Sequence, residues 1–420
     1  MQEPLCQLRH RIPPRGLFGL NLDLRSAPLP APQREGALGV LDITEYVGET
    51  SGGIRTYLEA KAAWVGAHPD TRQTLVVPGR GDAIFESDGS RTYQLHGPAI
   101  PFNAPYRFLL SARTCRRIFE HERPDLIEIG SHLLVPWVAR LADRGLQAPM
   151  VWFYHGHLPR LIAPDHERGS AQRALETLAW RYVRRLARDC RGVIVASPFV
   201  AEELRAHGVP NVEQVPLGVD LDHFHPRRRA RAGETRRRAG LPDGPLALFA
   251  GRFAREKRLD LLLDAWAPVE RRTGARLALL GDGPQARALR NHPYAHRVLW
   301  LPFEQDRDRL ADLLAAIDVY LAPGPYETFG LAALEAMASG TPILTVDRGG
   351  VAERVAATGG GTRYPFNDRD GLSAAAIELF RGDLGALGMA GRRSAERHHG
   401  WDASFTKLFA AYRRLLGRSA

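Results

Sequence analysis

The chain has 420 residues, too long for one ordinary hydrophobic core and suited to two domains. Its 44% hydrophobic and 25% charged residues are those of a globular protein, no apolar run approaches the roughly 20 residues that span a bilayer, and the three cysteines (Cys6, Cys115, Cys190) form no CxxC pair, which argues against a disulfide framework or a structural zinc site. The net charge of +10 is carried almost wholly by arginine and favours polyanionic partners; without an RNP-type pattern, a Cys/His finger or a recognition-helix module, nucleic acid is set aside and anionic lipid headgroups and phosphorylated small molecules remain.

In chain order, residues 1–35 lack a secretory signal and hold six prolines, so they are expected to form a flexible leader outside the fold of a cytoplasmic protein. Short apolar runs then alternate with helix-period segments, the pattern of parallel sheets covered by helices. Strands are expected at 36–42, 73–77, 125–129, 150–154, 192–196 and 212–215, giving a Rossmann-like domain over 36–216. Residues 217–245 lose apolar periodicity and become rich in Arg, Gly and Pro, the composition of a linker. A second series, with strands at 246–250, 276–280, 298–301, 319–322 and 342–346, defines a domain over 246–398, and 399–420 is expected as a helix returning towards the first domain. The fold class is therefore α/β, two doubly wound Rossmann-like domains facing across a cleft, with ligands at the carboxyl ends of the strands.

Four of the resulting loops bear on chemistry. Gly52 and Gly53 follow the first strand and open a helix, where backbone without Cβ atoms approaches a phosphate or simply makes a tight turn. In "FAGRFAREKR" (249–258), Arg252 and Lys257 follow a strand, and two cations there would neutralise a departing diphosphate; a solvated basic turn is the alternative. "LLGDGP" (279–284) has GxG but not GxGxxG, so it supports no dinucleotide fingerprint. In "GPYETFGLAALEAMASGTPIL" (324–344), Glu327 falls in a loop and Glu335 on the helix that starts near Gly330, roughly 7–8 Å along it. Two carboxylates so placed do not share a metal. A diphosphate capping that helix at the N–H groups near Phe329 and Gly330 would leave each carboxylate to accept hydroxyls on opposite sides.

This ordered set, with "PLGVDLDHFHP" (216–226) and "GGVAE" (349–353), resembles glycosyltransferase family 4, the retaining enzymes of GT-B fold, over about residues 36–415. The resemblance implies a nucleotide-sugar donor held mainly by the second domain. Arg252 and Lys257 would bind its diphosphate, Glu327 the sugar and Glu335 the ribose, with Gly52 and Gly53 near the phosphates and His155, at the end of "MVWFYHG", offered to the sugar. It also implies no cofactor and no metal, in keeping with the absence of a DxD placed for Mg²⁺; the HxH pairs His155/His157 and His223/His225 lack partners at zinc-ligand spacing. Pro302 and Ala352 depart from the family pattern, so uracil, guanine and adenine stay open as the base.

The expected activity is transfer of a hexose from a UDP- or GDP-sugar to a lipid, lipid-linked or glycan hydroxyl. Arginine-bearing amphipathic segments at 106–124 and 171–192 are either core-packed helices with solvated arginine faces or suited to an anionic membrane surface, the second of which would make the protein peripheral at the inner face of the membrane. Two competing readings are a nucleotide-sugar epimerase of the same architecture and a non-catalytic nucleotide-sugar binding protein; nucleotide release that depends on an acceptor separates transfer from both.

Overall fold

The computed structural model describes residues 23–31, 33, 36–48, 52–101, 103, 105–163 and 169–418. Apolar runs too short for helices build two sheets. The first contains β1 (Leu38–Ile43), β2 (Thr71–Gly79), β3 (Ala83–Ser87), β4 (Ser90–His96), β5 (Leu126–Ile129), β6 (Met150–Phe153), β7 (Gly192–Val195) and β8 (Val212–Gln214), in the order β3-β4-β2-β1-β5-β6-β7-β8. The second contains β9 (Leu246–Ala250), β10 (Arg276–Leu280), β11 (Leu299–Leu301), β12 (Val319–Ala322), β13 (Ile343–Val346) and β14 (Gly361–Tyr364), in the order β11-β10-β9-β12-β13-β14. Its pairings are parallel, and β9, β12 and β13 are buried along their whole length, which is why they read as continuous apolar runs rather than alternating ones.

The helices are α1 (Gly53–Ala67), α2 (Ala112–Glu122), α3 (Val135–Ala142), α4 (Leu158–Ile162), α5 (Ser170–Arg188), α6 (Pro198–Ala206), α7 (Ala232–Arg238), α8 (Leu259–Thr273), α9 (Ala286–Arg290), α10 (Arg307–Ala316), α11 (Leu331–Ala338), α12 (Gly350–Thr358), α13 (Arg369–Arg381), α14 (Leu384–His398) and α15 (Trp401–Leu415). None is long and apolar enough to cross a membrane among the described residues. The chain divides into two compact units: residues 1–154, 186–193 and 409–420 form the first, and residues 155–185 and 194–408 the second.

In the second unit, Leu259, Leu262, Leu263, Trp266 and Val269 recur at helical spacing on α8 and bury one face of it in a core shared with β9, β10 and α13. Counted from its own first strand, the second sheet runs 3-2-1-4-5-6, so the order reverses between β9 and β12. In open doubly wound sheets, ligands bind beside the carboxyl ends of the two strands at which the order reverses.

In the first unit, Lys61 on α1 is wholly buried; it donates to Asp42 on β1 (2.7 Å) and to the Tyr412 hydroxyl (2.8 Å), and lies 3.4 Å from Glu128 on β5. Tyr57 and Tyr412 also donate to Glu128, whose carboxyl is pushed up to about 7 by burial against the pull of Lys61. The segment 409–420 thus contributes a buried partner to the first unit.

Three expectations need correction. The first sheet is not wholly parallel: β3 and β4 form an antiparallel hairpin across Asp88-Gly89, a two-residue turn in which Gly89 takes φ +70. Residues 23–31, assigned to a flexible leader, are held in the fold; Leu24 is fully buried, and Arg117 donates to the carbonyls of Leu24 (2.8 Å) and Ala27 (2.5 Å) while Arg91 donates to that of Ala31 (2.7 Å). Residues 1–22 of that leader lie outside the described residues. The 217–245 stretch, expected as a linker, holds a 3-10 turn (Pro226–Arg231) and α7 inside the second unit. Its arginines cap α10: Arg236 donates to Ala316 O (2.8 Å) and Asp318 (2.9 Å), and Arg229 to Ile317 O (2.9 Å), so the rigid guanidinium fork satisfies carbonyls that a helix end leaves open.

Candidate active site

Two loops meet at the second unit's switch point. The first leaves β9 at Ala250 and turns through Gly251 and Arg252 into a 3-10 turn (Arg255–Lys257), which ends on Arg258 in the left-handed region. The second leaves β12 at Ala322 and runs to Gly330, also left-handed, which caps α11. They touch at Gly324, where a Cβ would stand 3.0 Å from Glu256 O and 3.5 Å from Lys257 Cα. Glycine eases this close backbone approach. It delivers Lys257 Nζ to the Glu327 carboxylate, with the two side chains 24% and 23% exposed. Partly exposed, this pair stays within reach of a solute.

The 327–330 segment is held on several sides. Gly350 N donates to Glu327 O (2.8 Å), the Thr328 hydroxyl to His155 O (2.8 Å), and Arg354 to Phe329 O (2.7 Å). Arg354 also lies 4.2 Å over the Phe329 ring, and burial lowers its guanidinium to about 10 against the opposing charges of Glu327 and Glu353. Glu353 in turn accepts from Phe199 N (2.9 Å). A segment so constrained presents its carboxylate and the α11 amino end in one geometry.

Glu335 is not part of the Lys257 pair. It sits buried on α11, 3% exposed, and accepts from Arg307 (2.7 Å) at the first position of α10. Arg252 stands in the β9 loop, and Phe253 after it donates to Asp282 O (2.8 Å), which folds that loop against "LLGDGP". His155 joins through its carbonyl, as the acceptor for Thr328. Gly52 and Gly53 belong to the first unit; Gly52 is exposed, caps α1 and has open space where a Cβ would stand, so local packing does not require glycine there.

The other histidines of the HxH pairs have structural tasks. His157 Nε2 is 2.6 Å from Glu203, whose carboxyl is brought down to about 2 by His157 and Arg160 although burial pushes it up. His223 bonds Arg307 O (2.9 Å), and His225 accepts from Arg227 N (3.0 Å) at the start of the 3-10 turn. Among the described residues no group of three or more His, Cys, Asp or Glu is placed to hold a metal ion.

Sequence reasoning missed Arg307, Thr328 and Arg354. Arg307 carried no signal, because its partner lies 28 residues away on another helix. Arg354 directly follows "GGVAE" and, with Glu353, is one of two charges in an otherwise small and mostly apolar helix, a signal that was within reach.

Two parallel-rich α/β sheets, the second with the 3-2-1-4-5-6 order, define the GT-B class of fold. Solved structures agree: sucrose-phosphate synthase from Thermosynechococcus elongatus superposes with a TM-score of 0.72 at 24% identity, covering 91% of this chain and 100% of that one. The starch synthase IV catalytic domain from Arabidopsis thaliana gives 0.67 at 15% identity, with 91% and 100% covered. Residues 52–223 match Glycosyltransferase Family 4, and residues 244–381 match Glycosyl transferases group 1. The chain is 32% identical over 324 residues to the GDP-mannose-dependent alpha-(1-6)-phosphatidylinositol dimannoside mannosyltransferase of Mycobacterium tuberculosis, covering 76% of this chain and 82% of that protein. It is 30% identical over 296 residues to a GDP-mannose-dependent alpha-mannosyltransferase of Mycolicibacterium smegmatis, with 70% and 75% covered. This chain belongs to glycosyltransferase family 4 and is a glycosyltransferase.

Proposed function

We propose that the protein is a retaining, metal-independent hexosyltransferase that takes its sugar from a nucleotide diphosphate donor, GDP-mannose first among candidates, and delivers it to a lipid or lipid-linked glycan hydroxyl. The observation that carries the reading is the Lys257–Glu327 pair at the β9/β12 switch point, beside the amino end of α11. A donor diphosphate there meets Arg252, Lys257 and the N–H groups at Phe329 and Gly330, which neutralise the charge that develops as the sugar–phosphate bond breaks. Glu327 accepts from sugar hydroxyls, Glu335 from the ribose, and His155 stands beside the sugar. Gly52 and Gly53 are assigned to the donor by the family resemblance alone.

In the transfer, the C1–O bond to phosphate breaks, a bond from C1 to the acceptor oxygen forms on the same face, and the acceptor's proton passes to the departing phosphate oxygen. No separate base or metal is then needed. The choice of GDP-mannose rests on the names of the relatives, and so does the lipid acceptor, since one of them is a phosphatidylinositol dimannoside mannosyltransferase. A cytoplasmic protein peripheral to an anionic membrane surface is consistent with the arginine-rich charge.

The test is a thermal-shift screen against GDP-mannose, UDP-glucose and ADP-glucose with and without EDTA, followed by mass spectrometry of a lipid extract treated with the stabilising donor. Stabilisation by one donor, indifferent to EDTA and lost in Glu335→Ala, with a hexose added to a lipid, is the expected result. A donor effect abolished by EDTA would refute the metal-independent reading, and turnover without an acceptor would favour the epimerase.

A further inference from the structure

A cavity of about 220 Å³ lies within the first unit, between α3 and the end of α5, over β5 and β6. Trp137, Met150, Trp152 and Leu186 form its apolar walls, Cys190 closes one side, and the polar edge is the Arg140–Asp189 pair (2.6 Å). The space opens to the surface and its lining is mostly apolar, which suits a length of hydrocarbon entering from outside better than a sugar.

A second observation concerns the outside of the same wall. Leu134, Trp137 and Leu141 recur at i, i+3 and i+7 along α3, and Leu134 and Leu141 are 38% and 42% exposed. Solvent-facing positions of a surface helix are ordinarily polar. Around this stripe the charge is positive: Arg140 is 51% exposed, and Arg144, Arg188 and Arg191 are exposed as well, while the nearby Asp143 is 8% exposed and turns in to accept Ala148 N (3.1 Å). An apolar stripe flanked by arginines over an apolar cavity is complementary to an anionic amphiphile at a membrane surface.

We propose that this cavity binds one acyl chain of an anionic phospholipid, with the outer face of α3 resting in the interface and the phosphate on Arg140 and its neighbours. Arg140 exchanges Asp189 for the phosphate, and an ion pair this exposed is weak enough to be replaced. None of these residues is assigned to the donor, so the site stands apart from the transfer reaction, and the lipid held here is not required to be the acceptor.

The probe is a short-chain phosphatidylglycerol brominated in its acyl chains, titrated into the full chain below its critical micelle concentration, with tryptophan fluorescence as the readout. Saturable quenching is expected, because Trp137 and Trp152 line the cavity. Cys190→Phe fills the space and should weaken the binding at least tenfold with the melting temperature kept; if that variant does not fold, Met150→Phe at the half-buried wall is read in its place. Arg140→Gln should weaken it three- to tenfold, and brominated phosphatidylcholine of the same chain length should bind at least threefold more weakly than phosphatidylglycerol. Unsaturable quenching of the native protein, or undiminished binding in the folded cavity-filled variant, would overturn the proposal. Equal affinity for the two headgroups would overturn its anionic part.

Discussion

Replacing Gly330 by alanine tests how the 327–330 segment holds its shape. Gly330 has φ +75 and ψ +65, and a Cβ on it would stand 2.2 Å from Val351 Cγ2 on α12. The left-handed conformation costs an L-residue about 1–2 kcal/mol, and forcing a methyl into a filled space costs a further 1–3 kcal/mol or so. Val351 is β-branched and buried, so it yields little. The sum, roughly 2–5 kcal/mol, lowers the melting temperature of a unit of this size by about 4–10 °C. Differential scanning calorimetry would show this as a shift of the second unit's transition. The steric part is separable: Val351→Ala empties the contested space, so Gly330→Ala and Val351→Ala together should cost less than their sum by about 1–3 kcal/mol. Strict additivity, or a neutral Gly330→Ala, would refute the account. Donor stabilisation should vanish in Gly330→Ala and return in part in the double variant, since the α11 amino end moves with the capping residue.

Two further outcomes follow from buried charges in the first unit. Lys61→Met keeps the volume but leaves Asp42 and Glu128 without their cation, which should cost about 3–5 kcal/mol, partly recovered by adding Asp42→Asn at the nearer carboxylate; a loss under about 1 kcal/mol by urea unfolding would show that the cluster is not stabilised by its charge. His132, beside Tyr46 (3.0 Å), is held down to about 4 by burial, so between its ordinary value near 6.5 and 4 the unfolded chain binds the extra proton. Its contribution is complete above about pH 6.5 and is lost as pH falls towards 4, by up to about 3 kcal/mol. The difference between native protein and His132→Gln carries this test, because Glu128, raised to about 7, titrates in the same window with the opposite sign; parallel pH profiles for the two proteins would contradict it.

Much of the fold could be read before any coordinates because parallel strands buried on both faces, such as "LALFA" at 246–250 and "VYLA" at 319–322, are short unbroken apolar runs between helical periods. The β3–β4 hairpin is hard to read although Asp88-Gly89 marks a tight turn, since its strands carry Glu86, Arg91 and Gln94 in place of an unbroken apolar run. β14, "GTRY", is a short strand at the sheet edge and gives almost no apolar signal. The 217–245 arginines misled for a different reason: composition reports that guanidiniums are present, not that Arg236 is 7% exposed against the end of α10. Ion-pair choices were the least legible. Nothing local joins Glu335 to Arg307, or Lys61 to Asp42 and Tyr412, because each pair is made by helices and strands meeting in space.

The first unit is assembled from three separate stretches of chain, and Tyr412 in the last of them supplies a hydroxyl to Lys61. Synthesis runs from the amino end, so residues 155–408 are all made before that hydroxyl exists. During translation the amino-terminal stretch therefore waits with Lys61 and two carboxylates incompletely partnered, while the second unit has its whole sequence and is free to form. The usual order, amino-terminal domain first, is reversed for the final step. A stop codon ahead of Tyr412 would leave Lys61 without that hydroxyl, although every residue of its own helix had been made.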